Sequence, residues 1–162
     1  MNENLLFLPV VTQVALTFGL YIYLGMAKSK AEKLGLVNQE RRALHHDSWP
    51  DNVIQINNCI RNQFEVPVLF YVLTIILWLT NTVNIYIHVL AWAFVASRIL
   101  HAFIHVGSNY VPLRRKVFTF GCVLLMVVTL MLGWSIVMAP NVYPSGEQSS
   151  LKKNNSSVLF KQ

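Results

Sequence analysis

The chain has 162 residues, of which 54% are hydrophobic and only 12% are charged, and its mean hydropathy is positive. This composition is typical of membrane proteins and excludes an ordinary soluble globular protein. The net charge is +6, but the cations lie in loops between apolar segments, so the charge indicates membrane orientation and not nucleic-acid binding.

Four apolar segments are each long enough to cross a bilayer, which takes about 20 helical residues. The first is residues 5 to 27, and the second is residues 57 to 80, whose polar start is expected to form the first turns of the same helix. The third is residues 85 to 106, and the fourth is residues 115 to 139, ended by Pro140. These segments predict an all-α polytopic membrane protein, a four-transmembrane-helix bundle.

The connections between the spans differ in length and charge. Residues 28 to 56 are polar and are predicted to form a loop with at most a short surface helix, whereas residues 81 to 84 make a tight connection. The length suits one domain over residues 1 to 140, followed by a polar mobile tail at residues 141 to 162. The first loop and Arg61 hold six Lys and Arg residues, the turn into the fourth span holds three and the 81 to 84 connection holds none. The positive-inside rule therefore places both basic loops in the cytoplasm and both termini on the non-cytoplasmic side.

Polar side chains are concentrated where three of the predicted helices reach the cytoplasmic face. On the second helix, Asn58, Arg61, Asn62 and Glu65 have the spacing i, i+3, i+4, i+7, which places them on one face. Ionisable groups in a membrane-spanning helix are costly facing lipid, so this face should contact another helix or a neighbouring subunit. The alternative is that Arg61 and Glu65 form an i,i+4 ion pair that only holds the helix end.

The third and fourth helices carry the other conspicuous polar groups. Arg98, His101 and His105 share one face of the third helix, and Arg114 begins the fourth after a turn broken by Gly107. Two alternatives remain open. The two histidines, at i,i+4, would suit a zinc ion if Glu65 completed the site, and Arg114 would serve as a headgroup anchor like the two cations that follow it.

Two other groups of residues are not predicted to form a functional site. The adjacent pair His45 and His46 does not share a helix face and has no further ligand at a suitable spacing, so a solvated loop is expected and no metal site is predicted. Cys59 and Cys122 lie in unlike segments and outside any metal-binding pattern, so both are interpreted as structural.

The motifs RNQFEVP, residues 61 to 67, and RILHAFIHVGSNYVPLRR, residues 98 to 115, resemble those of the MAPEG family, the membrane-associated proteins in eicosanoid and glutathione metabolism. The four-span layout agrees over residues 5 to 139, and the resemblance is closest to bacterial-type members. It implies an integral multi-pass protein, here expected in the bacterial inner membrane. It also implies a homotrimer in contact with membrane lipid, with glutathione bound between subunits.

By motif position, the resemblance implies that Arg114 stabilises the glutathione thiolate. It further implies glutathione contacts from six residues: Arg61, Asn62, Glu65, Arg98, His101 and His105. The expected function is a glutathione-dependent transferase or peroxidase that acts on apolar electrophiles or lipid hydroperoxides drawn from the bilayer.

Three positions depart from the family pattern. Asn58 stands where a further Arg is common, and His105 and Phe118 stand where catalytic members commonly carry Tyr. These departures favour an alternative, a non-catalytic membrane protein that binds glutathione or lipid with the same trimeric fold. A small transporter is a third possibility, but Glu65 lies near headgroup level, whereas transporters place a carboxylate at the midplane.

Overall fold

The computed structural model describes residues 3–138, which form helices and connecting turns with no β-strand in that range. The long helices are α1 (Phe7–Lys33), α2 (Asp51–Arg61), α3 (Val66–Leu79), α4 (Ile85–Val106) and α5 (Val111–Met138). Short 3-10 turns occupy Glu3–Leu6, His46–Ser48 and Asn62–Phe64. Four segments, one of which joins α2 and α3, are long and apolar enough to cross a membrane, as predicted. Pro140 and the predicted tail lie outside the described residues.

The first helix is longer than predicted, because it continues for six residues beyond position 27 to Lys33. Its end is a Schellman motif: the Gly35 amide donates to the carbonyl of Glu32 and the Leu36 amide to that of Ala31. Gly35 supplies the left-handed φ of +67° that this cap requires. The prediction ended the helix where the sequence becomes polar. The lysines of the last turn are nevertheless compatible with a helix, because their charge complements the negative end of the helix dipole.

The second span is two helices and not the single one predicted. α2 ends at Arg61, a 3-10 turn follows, and α3 begins at Val66. Pro67 explains the break, since its ring would clash with the carbonyl four residues earlier and it has no amide to donate. The broken backbone at Glu65 has φ −97° and ψ −96°, outside the helical region.

The third span matches its predicted limits, and the fourth begins four residues earlier than predicted. Asn84 caps α4, because its side-chain oxygen accepts a hydrogen bond from the Ile87 amide at 3.0 Å. The turn before α5 covers only residues 107–110, and Pro112 lies inside the first turn of α5, where a missing amide is harmless.

The core has two parts. One packs α3, α4 and α5 around Phe70 and Phe94, whose ring centroids are 4.8 Å apart, and the other packs α1 against α2 around Leu24 and Ile56. α4 and α5 approach closely at Gly121, where an added Cβ would lie 2.9 Å from the Ser97 hydroxyl oxygen. This contact fixes the separation of the two helices one residue before Arg98.

Both cysteines are free thiols; Cys59 is fully buried between α1 and α2, and Cys122 is half-buried in α5.

Candidate functional site

A cavity of about 530 Å³ opens at the end of the bundle where α2, the 62–65 break and the start of α5 meet. It collects most of the side chains that the sequence singled out at this face. Those lining it are Asn58, Arg61, Asn62, Glu65, His105 and Arg114, together with Asp51, Ile54, Gln55 and Asn109. The four polar residues predicted to share one helix face therefore do meet, although a helix break and not a continuous helix brings them together.

Arg98 lies beside the cavity wall and is almost completely buried, with 1% of its surface exposed. Its Nη2 donates to the backbone carbonyl of Asn62 at 3.2 Å, while its Nε and Nη1 have no hydrogen-bond partner. The Phe118 ring covers the guanidinium, with its centroid 5.5 Å from Cζ. A buried guanidinium with two unused donors is costly, so it indicates a place for an anionic or polar ligand.

His101 and His105 are both buried, and their ring centroids are 5.5 Å apart in an edge-to-face arrangement. His105 lines the cavity, whereas His101 lies behind it against Phe118, with ring centroids 5.7 Å apart. Nδ1 of each ring has no hydrogen-bond partner. Within residues 3–138, no three or more His, Cys, Asp or Glu side chains are grouped so that they could hold a metal ion.

Arg114 is half-buried in the first turn of α5, and its Nη1 donates to the side-chain oxygen of Asn109. Asn109 has a left-handed φ of +51°, a conformation that Asn tolerates better than most residues. Arg115 and Lys116, in contrast, are exposed. Arg114 therefore differs from the two cations that follow it, and it alone of the three lines the cavity.

The charges around the cavity are not paired with one another. In the part of the chain that the structure describes, the two ion pairs join Arg41 to Asp47 and Arg42 to Glu32, and neither involves a cavity residue. The alternative of an Arg61–Glu65 ion pair is therefore wrong, because the break between the two residues removes the i,i+4 helical geometry. Unpaired cations beside a carboxylate suit a small ligand that carries charges of both signs.

Sequence reasoning missed two residues that shape the cavity. Gln55, assigned to the loop, donates from Nε2 to the carbonyls of His105 and Gly107 at 2.6 and 3.1 Å, joining α2 to the end of α4. Asn109 orients Arg114, and its position in a Gly-Ser-Asn turn was the available signal. Gln55 gave no signal, because one amide in a polar segment does not indicate a tertiary contact.

A buried pair of glutamines, Gln13 and Gln63, connects α1 to the turn between α2 and α3. Gln13 on α1 donates from Nε2 to Oε1 of Gln63 at 2.8 Å, and Gln63 donates to the Cys59 carbonyl at 3.3 Å. Both glutamines are at most 1% exposed. Gln13 Oε1 has no partner, but the hydrogen bond between the two buried amides fixes their relative position, so α1 holds the turn from which Asn62 and Glu65 project.

The fold and the cavity together define a class: a polytopic α-helical membrane protein with a polar site at one end of its bundle, lined by two arginines and two carboxylates. The sequence profile of the MAPEG family matches residues 6–134, which is most of the chain, and the protein belongs to that family. Family membership is consistent with a glutathione-related membrane function. No curated protein and no solved structure matches the chain.

Proposed function

We propose that the protein is a glutathione-dependent membrane transferase or peroxidase that acts on apolar electrophiles or lipid hydroperoxides. The observation that carries this proposal is the cavity in which Arg61, Glu65 and Arg114 meet beside the buried, unsatisfied Arg98. Glutathione has two carboxylates and one ammonium group, a charge pattern that two arginines and a glutamate can match. The orphaned donors of Arg98 would gain an acceptor when such a ligand is bound.

We assign each residue a role in glutathione binding from its position in the site. Arg61, Asn62 and Glu65, on the end of α2 and the break, hold the charged ends of the peptide. Arg98 donates to the ligand from behind the wall, and His101 and His105 add imidazole nitrogens on the same side. Arg114, held by Asn109, places a cation at the start of α5, where the helix dipole adds to its positive potential.

When bound, glutathione supplies the thiol that reacts with an electrophile or reduces a hydroperoxide. Arg114 favours its thiolate form, because a fixed cation stabilises the charged sulfur over the neutral thiol. Arginine suits this role since it stays charged even where water is partly excluded. Apolar substrate would approach from the bilayer between helices, because the spans expose large apolar side chains such as Phe103 and Leu130.

We further propose a homotrimer in which neighbouring subunits complete the site. The support is that Arg98, His101 and His105 retain unsatisfied polar atoms within one subunit, and the family resemblance supplies the number three. Light scattering with the detergent contribution subtracted measures the protein mass. A monomer that binds glutathione at full strength would contradict a shared site.

A second candidate is a non-catalytic protein that binds glutathione or lipid, and one observation favours it. Phe118 covers both Arg98 and His101 with a ring that has no hydroxyl to donate or accept. Titration of the detergent-purified protein with glutathione, followed by heat and by ultraviolet thiolate absorbance, separates the two candidates. Binding with a thiolate signal supports the enzyme, and binding without one supports the binding protein. No glutathione binding contradicts the enzyme and leaves only a lipid-binding protein as the second candidate.

A further inference from the structure

A second, smaller cavity of about 180 Å³ lies on another side of α2 at the same end of the bundle. It shares only Ile54 with the candidate glutathione site. Its floor is Val53 and Ile54, and its polar wall is formed by Lys28, Arg42, His45, His46, Trp49 and Asn57. The His45–His46 pair lies in an exposed loop, as expected, and also lines this cavity.

The loop that closes this cavity is folded. The Asn38 amide donates to the Ser48 carbonyl at 3.1 Å, joining the two ends of the loop, and the Arg42 amide donates to the Asn38 carbonyl at 3.0 Å. Its two ion pairs, Arg41–Asp47 at 2.9 Å and Arg42–Glu32 at 2.7 Å, tie the loop to itself and to α1. The cavity wall is therefore held by specific contacts.

No carboxylate lines this cavity, and its cations are Lys28 and Arg42, of which Arg42 is already paired with Glu32. The Lys28 ammonium lies 4.9 Å from the centroid of the Trp49 ring, a cation–π contact that fixes the charge at the cavity. Nδ2 of Asn57 lies 3.3 Å from Nδ1 of His46. An amide nitrogen only donates, so this contact leaves the imidazole proton on Nε2. Such a wall suits a phosphate-type anion.

A large apolar side chain lies at the rim of the cavity, and the binding of a soluble anion would not explain it. Leu44 lines the cavity and has 88% of its surface exposed, the largest exposed fraction among the large hydrophobic residues of the described range, and it stands between Arg42 and His45. The cavity lies where α1 and α2 extend past the apolar part of the bundle, so we expect it at the depth of lipid headgroups. An exposed leucine beside basic and Trp side chains is the pattern of a membrane interface.

We propose that this cavity binds the phosphodiester headgroup of an anionic phospholipid, with Leu44 against the start of an acyl chain. Lys28 supplies the charge, and the His46–Asn57 pair supplies hydrogen-bond donors. Basic residues at this depth attract anionic lipid and give about 1 kcal/mol each. The proposal concerns a lipid site on a neighbouring side of α2 and does not depend on glutathione binding.

Native mass spectrometry of the detergent-purified protein with added phosphatidylglycerol measures the bound lipid directly. Lys28→Gln should lower the bound phosphatidylglycerol about fivefold, the loss of one interfacial cation. The matched control is Lys30→Gln on the same helix, about 200° away from Lys28, which does not line the cavity and should leave lipid binding unchanged. Equal losses in both variants would overturn the proposal in favour of diffuse surface attraction.

A second variant separates a lipid headgroup from free phosphate, which shares its chemistry. Leu44→Ser, at an exposed position where folding is not at risk, should lower phosphatidylglycerol binding while leaving the melting temperature unchanged. If Leu44→Ser has no effect and millimolar inorganic phosphate displaces the lipid, the site belongs to a soluble phosphate and the lipid assignment is wrong.

Discussion

The guanidinium of Arg98 reaches from α4 to the backbone carbonyl of Asn62, 3.2 Å from Nη2, and so joins the middle of one span to the break in another. This is its only hydrogen bond within the described residues, and its two other donor nitrogens are buried without partners. One hydrogen bond does not offset the burial of a charge, so the residue is better explained by ligand binding than by stability.

We expect Arg98→Met to weaken glutathione binding at least about tenfold, because a charge-assisted hydrogen bond contributes about 1.5 to 3 kcal/mol. The same substitution should leave the melting temperature in detergent unchanged or raise it, since an unpaired buried charge is replaced by an apolar chain of similar length. Calorimetry with glutathione and a thermal unfolding scan measure the two effects. A large loss of stability with unchanged affinity would make Arg98 a structural residue.

Arg114 and Arg115 form a matched pair for a second prediction. Successive helical residues point about 100° apart, and only Arg114 lines the cavity. We expect Arg114→Ala to lower turnover at least about tenfold, from the loss of about 1.5 to 3 kcal/mol of thiolate stabilisation. Glutathione affinity should change little, because Arg61, Asn62 and Glu65 remain.

Arg115→Ala is the control and should alter neither turnover nor affinity, as an exposed side chain contacts headgroups or water. Steady-state kinetics with glutathione and an apolar electrophile give both parameters. Equal effects of the two substitutions, or full activity without Arg114, would show that the two arginines only anchor the helix at the membrane surface.

The Gln13–Gln63 pair predicts a non-additive effect on stability. Gln13→Leu leaves a buried carbonyl oxygen on Gln63 without its donor, which costs about 1 to 3 kcal/mol. Adding Gln63→Leu removes the orphan, so the double variant should melt at a higher temperature than Gln13→Leu alone. Thr12→Val is the control: Thr12 is the half-buried residue next to Gln13, its hydroxyl bonds only the Leu8 carbonyl of its own helix, and the variant should melt close to the parent. Additive losses in the double variant would contradict the pairing.

Membrane orientation is tested by labelling single introduced cysteines with an impermeant thiol reagent. The excess of cations in the 28 to 56 region predicts that Glu40→Cys is protected in intact cells and that Thr82→Cys is labelled from outside. The parent protein, with Cys59 buried and Cys122 half-buried in a span, gives the background. Labelling of position 40 from outside would reverse the predicted orientation.

The sequence predicted the four spans and the helical class, because apolar runs of bilayer length are a strong signal that needs no tertiary information. It also predicted which side chains meet at one end, since Asn58, Arg61 and Glu65 project there whether or not the helix is continuous. The break at 62–64 was missed although Pro67 was visible, because hydropathy does not distinguish one helix from two in line.

Contacts between distant segments were beyond the reach of pattern reasoning. Nothing in the spacing of Gln13 or Gln63 indicates that the two amides meet across the bundle, 50 residues apart. The loop around His45 and His46 was correctly expected to be solvated, and both histidines are exposed. Its fold was not predicted, because the hydrogen bond from the Asn38 amide to the Ser48 carbonyl uses backbone atoms, which every sequence has.

The close approach of α4 and α5 at Gly121 has a mechanical consequence for the cavity. With only a glycine facing the Ser97 hydroxyl, the two helices cannot move nearer to each other, and Arg98 on one helix and Arg114 on the other are carried by the same rigid pair. α2 is held differently: it packs on α1 around Leu24 and Ile56, joins α3 through the 3-10 turn Asn62–Phe64, and bonds the end of α4 through the Gln55 side chain. It follows that the two walls of the cavity have separate supports: the α4–α5 pair sets the positions of Arg98 and Arg114, whereas the packing of α2 on α1 sets those of Asn58 and Arg61.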